Sequence, residues 1–282
     1  MPDGNSIINL GHLSKPADTL IKKISEAIEG TCKPWQIKRI AKAESEAEQI
    51  KALSKVKTAT LEQRALRRFM LEETKRQCNI ENITAKSISR LNATAKPEKI
   101  ENDWITNFFD KCRLVSDQQM QDIWSKILAG EANSPGRFSK RTVNFMESLD
   151  KQDAQLFTKL CAFNWIIGNI QPIIYDSNEE IYKKNGITFS TLKHLDAIGL
   201  ISFENLTGYR RQGLQRKIIA IYKNIPFILT FPKENHNEIS IGKVLLTSIG
   251  EELADICTPE TIDGFDNYII KKWKESGIEV TK

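Results

Sequence analysis

The sequence predicts a mainly α-helical chain with a C-terminal α+β module: a long helical arm, a helical bundle and a winged-helix-like domain, in that order. Three observations carry this. From Trp35 to Pro97 there is neither proline nor glycine, an interval longer than most globular helices. Through residues 100 to 170, apolar side chains recur at three- and four-residue steps between capping residues. Beyond residue 171, short β-branched runs alternate with glycine turns after a helix, which is the helix–strand–strand order of a winged helix. The divisions fall at 1–99, 100–170 and 171–282.

Residues 1–14 read as irregular. In "SKPADTLIKKISEAIEG", Ser14 is the N-cap, Leu20, Ile21, Ile24 and Ile28 share one face, and Gly30 ends the helix before the turn "TCKP". Ile37, Ile40, Ala47, Ile50, Leu53 and Val56 then recur at three- and seven-residue steps. The stripe is narrow and alanine-rich, with charges on its outer faces, so it predicts a long helix in a hairpin or short coiled coil. Leu61, Ala65 and Phe69, with Leu66 and Met70, restart the pattern after a break at Thr58 or Thr60. Fewer than three clean heptads leave two outcomes open, an arm folded on itself or a homo-oligomer joined through it.

"KPEKIEN", from Lys96, is a linker into the bundle. "DWITNFFDKCRLV" turns Trp104, Ile105, Phe108 and Phe109 inward. "SDQQMQDIWSKILAG" carries a capping box at Ser116 and Gln119, buries Trp124, Ile127 and Leu128, and closes on Gly130 with an expected positive φ. Pro135-Gly136 makes the turn, Ser139 caps the next helix, and "DKQDAQLFTKLCAFNWII" follows from Asp150 as another.

In the last third, "GITFSTLKHLDAIGLISFE" is a helix running into a strand, with Gly199 at the junction. "GYRRQGLQRKIIAIYKN" reads as loop then strand, and "IPFILTFP" and "EISIGKVLLT" as further strands. "SIGEELADIC" is a helix capped by Ser248 and Glu251, and "DNYIIKKWKESG" a terminal amphipathic helix.

Composition narrows the function classes. At 40% hydrophobic and 27% charged over 282 residues, the chain is globular rather than disordered. No run approaches the roughly 18 to 20 apolar residues of a membrane helix. "LCAFNWIIGNIQPIIY" is interrupted by two Asn, a Gln and a Pro and reads as core. The N-terminus lacks a basic region followed by an apolar one, so a cytoplasmic protein is expected. Cysteines at 32, 78, 112, 161 and 257 stand singly and are odd in number, which argues against a disulfide framework. His12, His194 and His236 are far apart, so neither a metal nor a cofactor site is expected; His194 reads as surface imidazole. Lys15 to Lys99 carries 19 basic and 11 acidic residues, against a chain total of +5. Such an arm meets nucleic acid or an anionic surface, or is simply a solvated helix of mixed charge.

If the C-terminal module binds nucleic acid, the candidate contacts are Arg210, Arg211, Arg216 and Lys217, four cations around Gly213 at an expected hairpin tip. The candidate recognition helix, "FSTLKHLDAIG", has no Arg, Asn or Gln to read base edges, and winged helices also bind proteins. For enzymes, the phosphate-loop, dinucleotide, HExxH and GxSxG patterns are all missing. Glu131 has no nearby His, Cys or second acid in sequence, and "DSNEEIYKK" is a turn and helix start where acids are ordinary. No catalytic residue is assigned.

The run "MQDIWSKILAGEANSPGRFSKRTVNFMESLDKQDAQLFTKL" resembles a bacterial and prophage family of unknown function. Its signature here is Trp124, Ile127, Leu128, Ala129, Gly130 and Glu131 followed by Pro135-Gly136, Phe138-Ser139 and Arg141-Thr142. "RQCNIENI" and "AKAESEAEQI" are similar to the same family's helical arm, so the resemblance covers about residues 10 to 165. The helix–turn architecture is similar to abortive-infection alpha proteins, and in kind to phage-satellite killer proteins of the Gop type. The resemblance implies phage defence, growth inhibition or host killing by a toxin-like protein, held in check by a partner encoded nearby, and carries no site residues. The alternative is a winged-helix DNA-binding regulator; an uncharacterised nuclease comes third.

Overall fold

A computed structural model of the chain describes residues 14–34 and 60–282. His12, the stripe from Ile37 to Val56 and the Thr58 option for the break lie outside these residues. Ten α-helices and, from residue 164 onward, three antiparallel sheets are described. The chain forms two compact units, Met1–Ser148 and Leu149–Lys282.

In the first unit, α1 (Lys15–Ala27) starts where the Ser14 hydroxyl accepts from the Ala17 N–H and buries Leu20, Ile21 and Ile24. Helix α2 (Leu61–Ile88) begins at Thr60, whose hydroxyl and the Gln63 side chain form a reciprocal capping box. Its first turns are solvated: Leu61, Leu66, Phe69 and Met70 are all exposed. Its last turns pack on α4 (Gln118–Asn133) through a buried polar ladder. Gln121 Nε2 donates to Asn79 Oδ1 at 3.1 Å and to the Val115 carbonyl at 2.9 Å, while Asn79 Nδ2 donates to the Arg113 carbonyl at 2.8 Å. Such pairs tolerate one register only, because a slip leaves buried amides unbonded. The apolar core joins α3 (Asn102–Cys112) to α4: Trp104 stacks on Phe108 and Phe108 meets Trp124 edge-on.

At two positions in this stretch the structure differs from the local expectation. The α4 N-cap is Asp117, not Ser116, since its carboxylate accepts from the Gln119 and Met120 N–H groups at the positive helix end. Gly130 does not close α4 with a positive φ. The helix runs on to Asn133, and the positive φ belongs to Gly136. Ser139 does cap α5 (Lys140–Ser148), accepting from the Thr142 N–H.

The second unit opens with α6 (Lys151–Cys161). The expected helix through Ile167 stops at Cys161, and β1 (Asn164–Ile167) turns back through Gly168 (φ 76°) into β2 (Asn169–Pro172). Trp165 and Ile167 are buried while Ile166 is exposed, a two-residue alternation that a strand satisfies and a helix does not. Helices α7 (Glu180–Lys183) and α8 (Phe189–Ala197) follow, then β3 (Ile201–Phe203), β4 (Tyr209–Leu214), β5 (Lys217–Tyr222), β6 (Ile225–Thr230), β7 (Asn237–Gly242) and β8 (Val244–Leu246). Helix α9 (Ser248–Ala254) is capped by Thr247, one residue before the expected Ser248, because its hydroxyl accepts from the Gly250 N–H. Helix α10 (Phe265–Glu275) and β9 (Glu279–Thr281) end the chain.

The main sheet has the order β2-β1-β5-β6-β9, antiparallel throughout. Lys223 and Asn224 both take left-handed φ in the two-residue turn between β5 and β6, the geometry that suits the twist of a tight hairpin. The inner face gathers Trp165, Tyr222 and Phe227, and Trp273 of α10 closes on Trp165 at 4.8 Å between ring centres.

Candidate functional site

Two places hold the residues singled out above. The first is the corner after α4. Glu131 is buried, and its two carboxylate oxygens accept from the Gly136 N–H at 2.6 Å and the Phe138 N–H at 2.9 Å. The Phe138 carbonyl in turn accepts from Trp104 Nε1 at 2.7 Å. Phe138 lies so close over Gly130 that a Cβ there would stand 2.6 Å from the ring. Glycine is needed at 130 for that approach rather than for its φ. The carboxylate of Glu131 is spent on the loop that follows it.

The second place is the basic stretch. Strand β3 leaves α8 through Gly199 (φ 88°) and pairs with β8, Ile201 opposite Leu246 and Phe203 opposite Val244. The same ribbon continues as β4 with β7, so the expected loop before Lys217 is a strand. Beside it, the Lys243 N–H donates to the Ile174 carbonyl at 2.8 Å, and Ile174 bridges to Gly242. Gly242 has φ 88°, and a Cβ on it would stand 2.5 Å from that carbonyl. Gly213 is not a hairpin tip. It sits inside β4 at an irregularity (φ 74°), and the chain changes sheet after Leu214, since β5 pairs with β1 and β6 rather than with β4.

This topology separates the four cations. Arg210 pairs with Glu238 across the ribbon, and Arg216 with Glu234. Arg211, on the opposite face of β4 from its neighbour, lays its guanidinium over Gly168, where a Cβ would stand 2.6 Å from Nη2. Lys217 is exposed on the main sheet and makes no ion pair among the described residues. Glu234 and Glu238, the partners of two of the four cations, are not among the sequence-predicted site residues. Their signal was an acidic strand edge following a basic one at cross-strand distance, readable only once the pairing is known.

On α8, Lys193 bonds to Asp196 at 2.9 Å, and the other Asp196 oxygen accepts from the Phe203 N–H. The Lys193 hydrogen bond, helped by that amide, holds the Asp196 carboxyl below its ordinary range against a smaller effect of burial. His194 is exposed and meets Asp153 of α6 at 2.6 Å. Among the described residues, no group of three or more His, Cys, Asp and Glu converges as a metal site. None of the described helices is long and apolar enough to cross a membrane.

The family model described as "Protein of unknown function (DUF2806)" matches residues 63–270, well over half of the chain. The chain belongs to the DUF2806 family. The DUF2806 match takes in the Glu131 corner, the β3–β8 ribbon and all four candidate cations. No curated protein and no solved structure matches the chain.

Proposed function

We propose that this DUF2806 chain is a cytoplasmic binding protein of the growth-inhibiting or abortive-infection kind, phage- or prophage-associated, working without enzymatic chemistry and held in check by a protein partner. Its second unit would be the contact module, built as a winged helix: α7 and α8 correspond to the helix pair, β3 and β8 to the wing ribbon, and Ile174 to the short first strand. The observation that carries a protein target over a DNA target is the engagement of the arginines. Arg210 and Arg216 each face a carboxylate, and Arg211 covers Gly168. A phosphate backbone would have to compete with those partners, and α8 offers Phe189, Ser190 and Lys193 outward rather than base-reading amides or guanidinium groups. The signature run around Glu131 and its resemblance to abortive-infection and Gop-type proteins support the growth-inhibition setting.

Inducing the intact gene in a plain host, alone and together with its genomic neighbours, tests this. Growth arrest relieved by a neighbouring product is the expected result. Absence of any growth phenotype, together with DNA binding whose affinity falls steeply with salt and is flattened by Arg210→Ala with Arg211→Ala, would instead establish the winged-helix DNA-binding regulator.

A further inference from the structure

Within the second unit, two cysteines distant in sequence meet. Cys161 is the last residue of α6 and is buried. Cys257 follows α9, half-buried, in the segment that leads to α10. Its Sγ stands 3.8 Å from Thr158 Oγ1, and Thr158 lies one helical turn before Cys161 on the same side of α6. Both thiols are free, and they hydrogen-bond to each other. Lys223, in the turn between β5 and β6, donates from Nζ to the Pro259 carbonyl at 3.1 Å, which holds the same segment just beyond Cys257. Three parts of the chain thus converge on one thiol pair.

We propose that Cys161 and Cys257 are a redox-modification site, which hydrogen peroxide closes to a disulfide and a small thiol reopens. The oxidant enters at Cys257, the partly exposed member of the pair. Its thiolate attacks one peroxide oxygen and becomes a sulfenic acid; the hydroxide expelled takes up the thiol proton as water. The Cys161 thiolate then attacks the Cys257 sulfur, the S–S bond forms, and the second oxygen leaves as water with the Cys161 proton. Two thiols and one peroxide become one disulfide and two waters. A disulfide needs sulfurs about 2.05 Å apart, and thiols already in contact reach this by rotation of a side chain on an irregular segment. Burial, and then the Cys257 thiol beside it, raise the Cys161 thiol, while the Asn164 side chain and the Lys223 ammonium act against them and favour the attacking thiolate. Cys161 therefore stays closed to external alkylating agents, its only reach being to its neighbour. In a reducing compartment such a bond is transient and redox-sensing. Closing it ties the segment before α10 to the end of α6.

Mass spectrometry of the full chain, reduced, exposed to a small excess of hydrogen peroxide, alkylated and digested, tests the proposal. The expected product is a linked pair of peptides carrying Cys161 and Cys257, lighter than their sum by two hydrogen atoms and reopened by dithiothreitol. Cys161→Ala should stop the reaction at a sulfenic acid on Cys257 that dimedone traps. Cys257→Ser should leave Cys161 a thiol at the same peroxide dose. Because the bond closes a long loop, the oxidised wild type should melt about 5 °C or more above the reduced form, and neither variant should show that shift. A chain that is folded by circular dichroism yet yields no such linked pair overturns the proposal. So does a link that forms only in urea, one that joins either residue to a different cysteine, or an oxidised form that melts no higher than the reduced one.

Discussion

Glu131 and Phe138 hold each other in place: the carboxylate accepts the Phe138 N–H at 2.9 Å, and the Phe138 ring lies on the helix that carries Glu131, over Gly130. Glu131→Ala would leave the Gly136 and Phe138 amides without that acceptor. It should lower stability by about 1–3 kcal/mol, measured as a shifted urea midpoint, with activity per folded molecule unchanged. Gly130→Ala should cost a comparable amount by overpacking, about 1–3 kcal/mol. Loss of activity at an unchanged midpoint in Glu131→Ala would return this corner to the list of active sites.

Trp104 and Trp124 are both buried, but only Trp104 has a partner for its indole N–H; Trp124 Nε1 has none among the described residues. Trp124→Ala should cost about 3–5 kcal/mol. Trp124→Phe should cost less than Trp104→Phe, which strands the Phe138 carbonyl. Thermal melts of the two phenylalanine variants decide it, and the reverse order would contradict the hydrogen-bond assignment.

Gly242 combines a left-handed φ with the Ile174 carbonyl against its Cα, so an alanine there is both strained and obstructed. We expect Gly242→Ala to destabilise by roughly 2–4 kcal/mol, while Gly213→Ala, with φ 74° and open space around it, loses only about 1 kcal/mol. Equal melting temperatures for the two would mean that the Ile174 segment does not pack on the ribbon.

The depressed Asp196 carboxyl makes stability pH-dependent in a defined direction. A folded-state value below the unfolded one contributes stability that is complete above the unfolded value and is lost as pH falls through the folded one. The acid side of the stability curve should therefore be flatter in Asp196→Asn than in wild type, and the two curves should converge at low pH. Parallel curves across the acid range would remove the Lys193–Asp196–Phe203 linkage.

Burial raises the thiols of Cys112 and Cys161 well above their ordinary value and pushes Cys32 up to about 12. Near neutral pH all three should resist alkylation in the native protein and react only on unfolding. Mass spectrometry of the alkylated chain reads this directly, and rapid native labelling of Cys112 would show that its core opens.

Residues 14–34 and 60–162 were largely legible because helices announce themselves locally. Ser14 and Ser139 cap where their sequence neighbours say they should, and Trp104, Phe108, Trp124 and Leu128 are buried as their spacing requires. The Ser116 and Gly130 errors arose where two residues compete for one local role and only the bonded atoms choose. The lack of catalytic neighbours in sequence points to a structural Glu131, and its two amide partners supply the positive reason.

The sequence by itself determined the helical first unit, the glycine at the α8–β3 junction, the amphipathic last helix and the scarcity of known catalytic motifs, since each rests on neighbours within a few residues. Only the tertiary structure decided that Trp165 belongs to a strand, that Arg210 and Arg216 face Glu238 and Glu234, and that isoleucines of four strands share one outer face. Strand pairing joins residues far apart in the chain through backbone bonds that carry no residue identity. Which cation meets which carboxylate, and which side chains form one surface, is therefore set by register and topology rather than by local pattern.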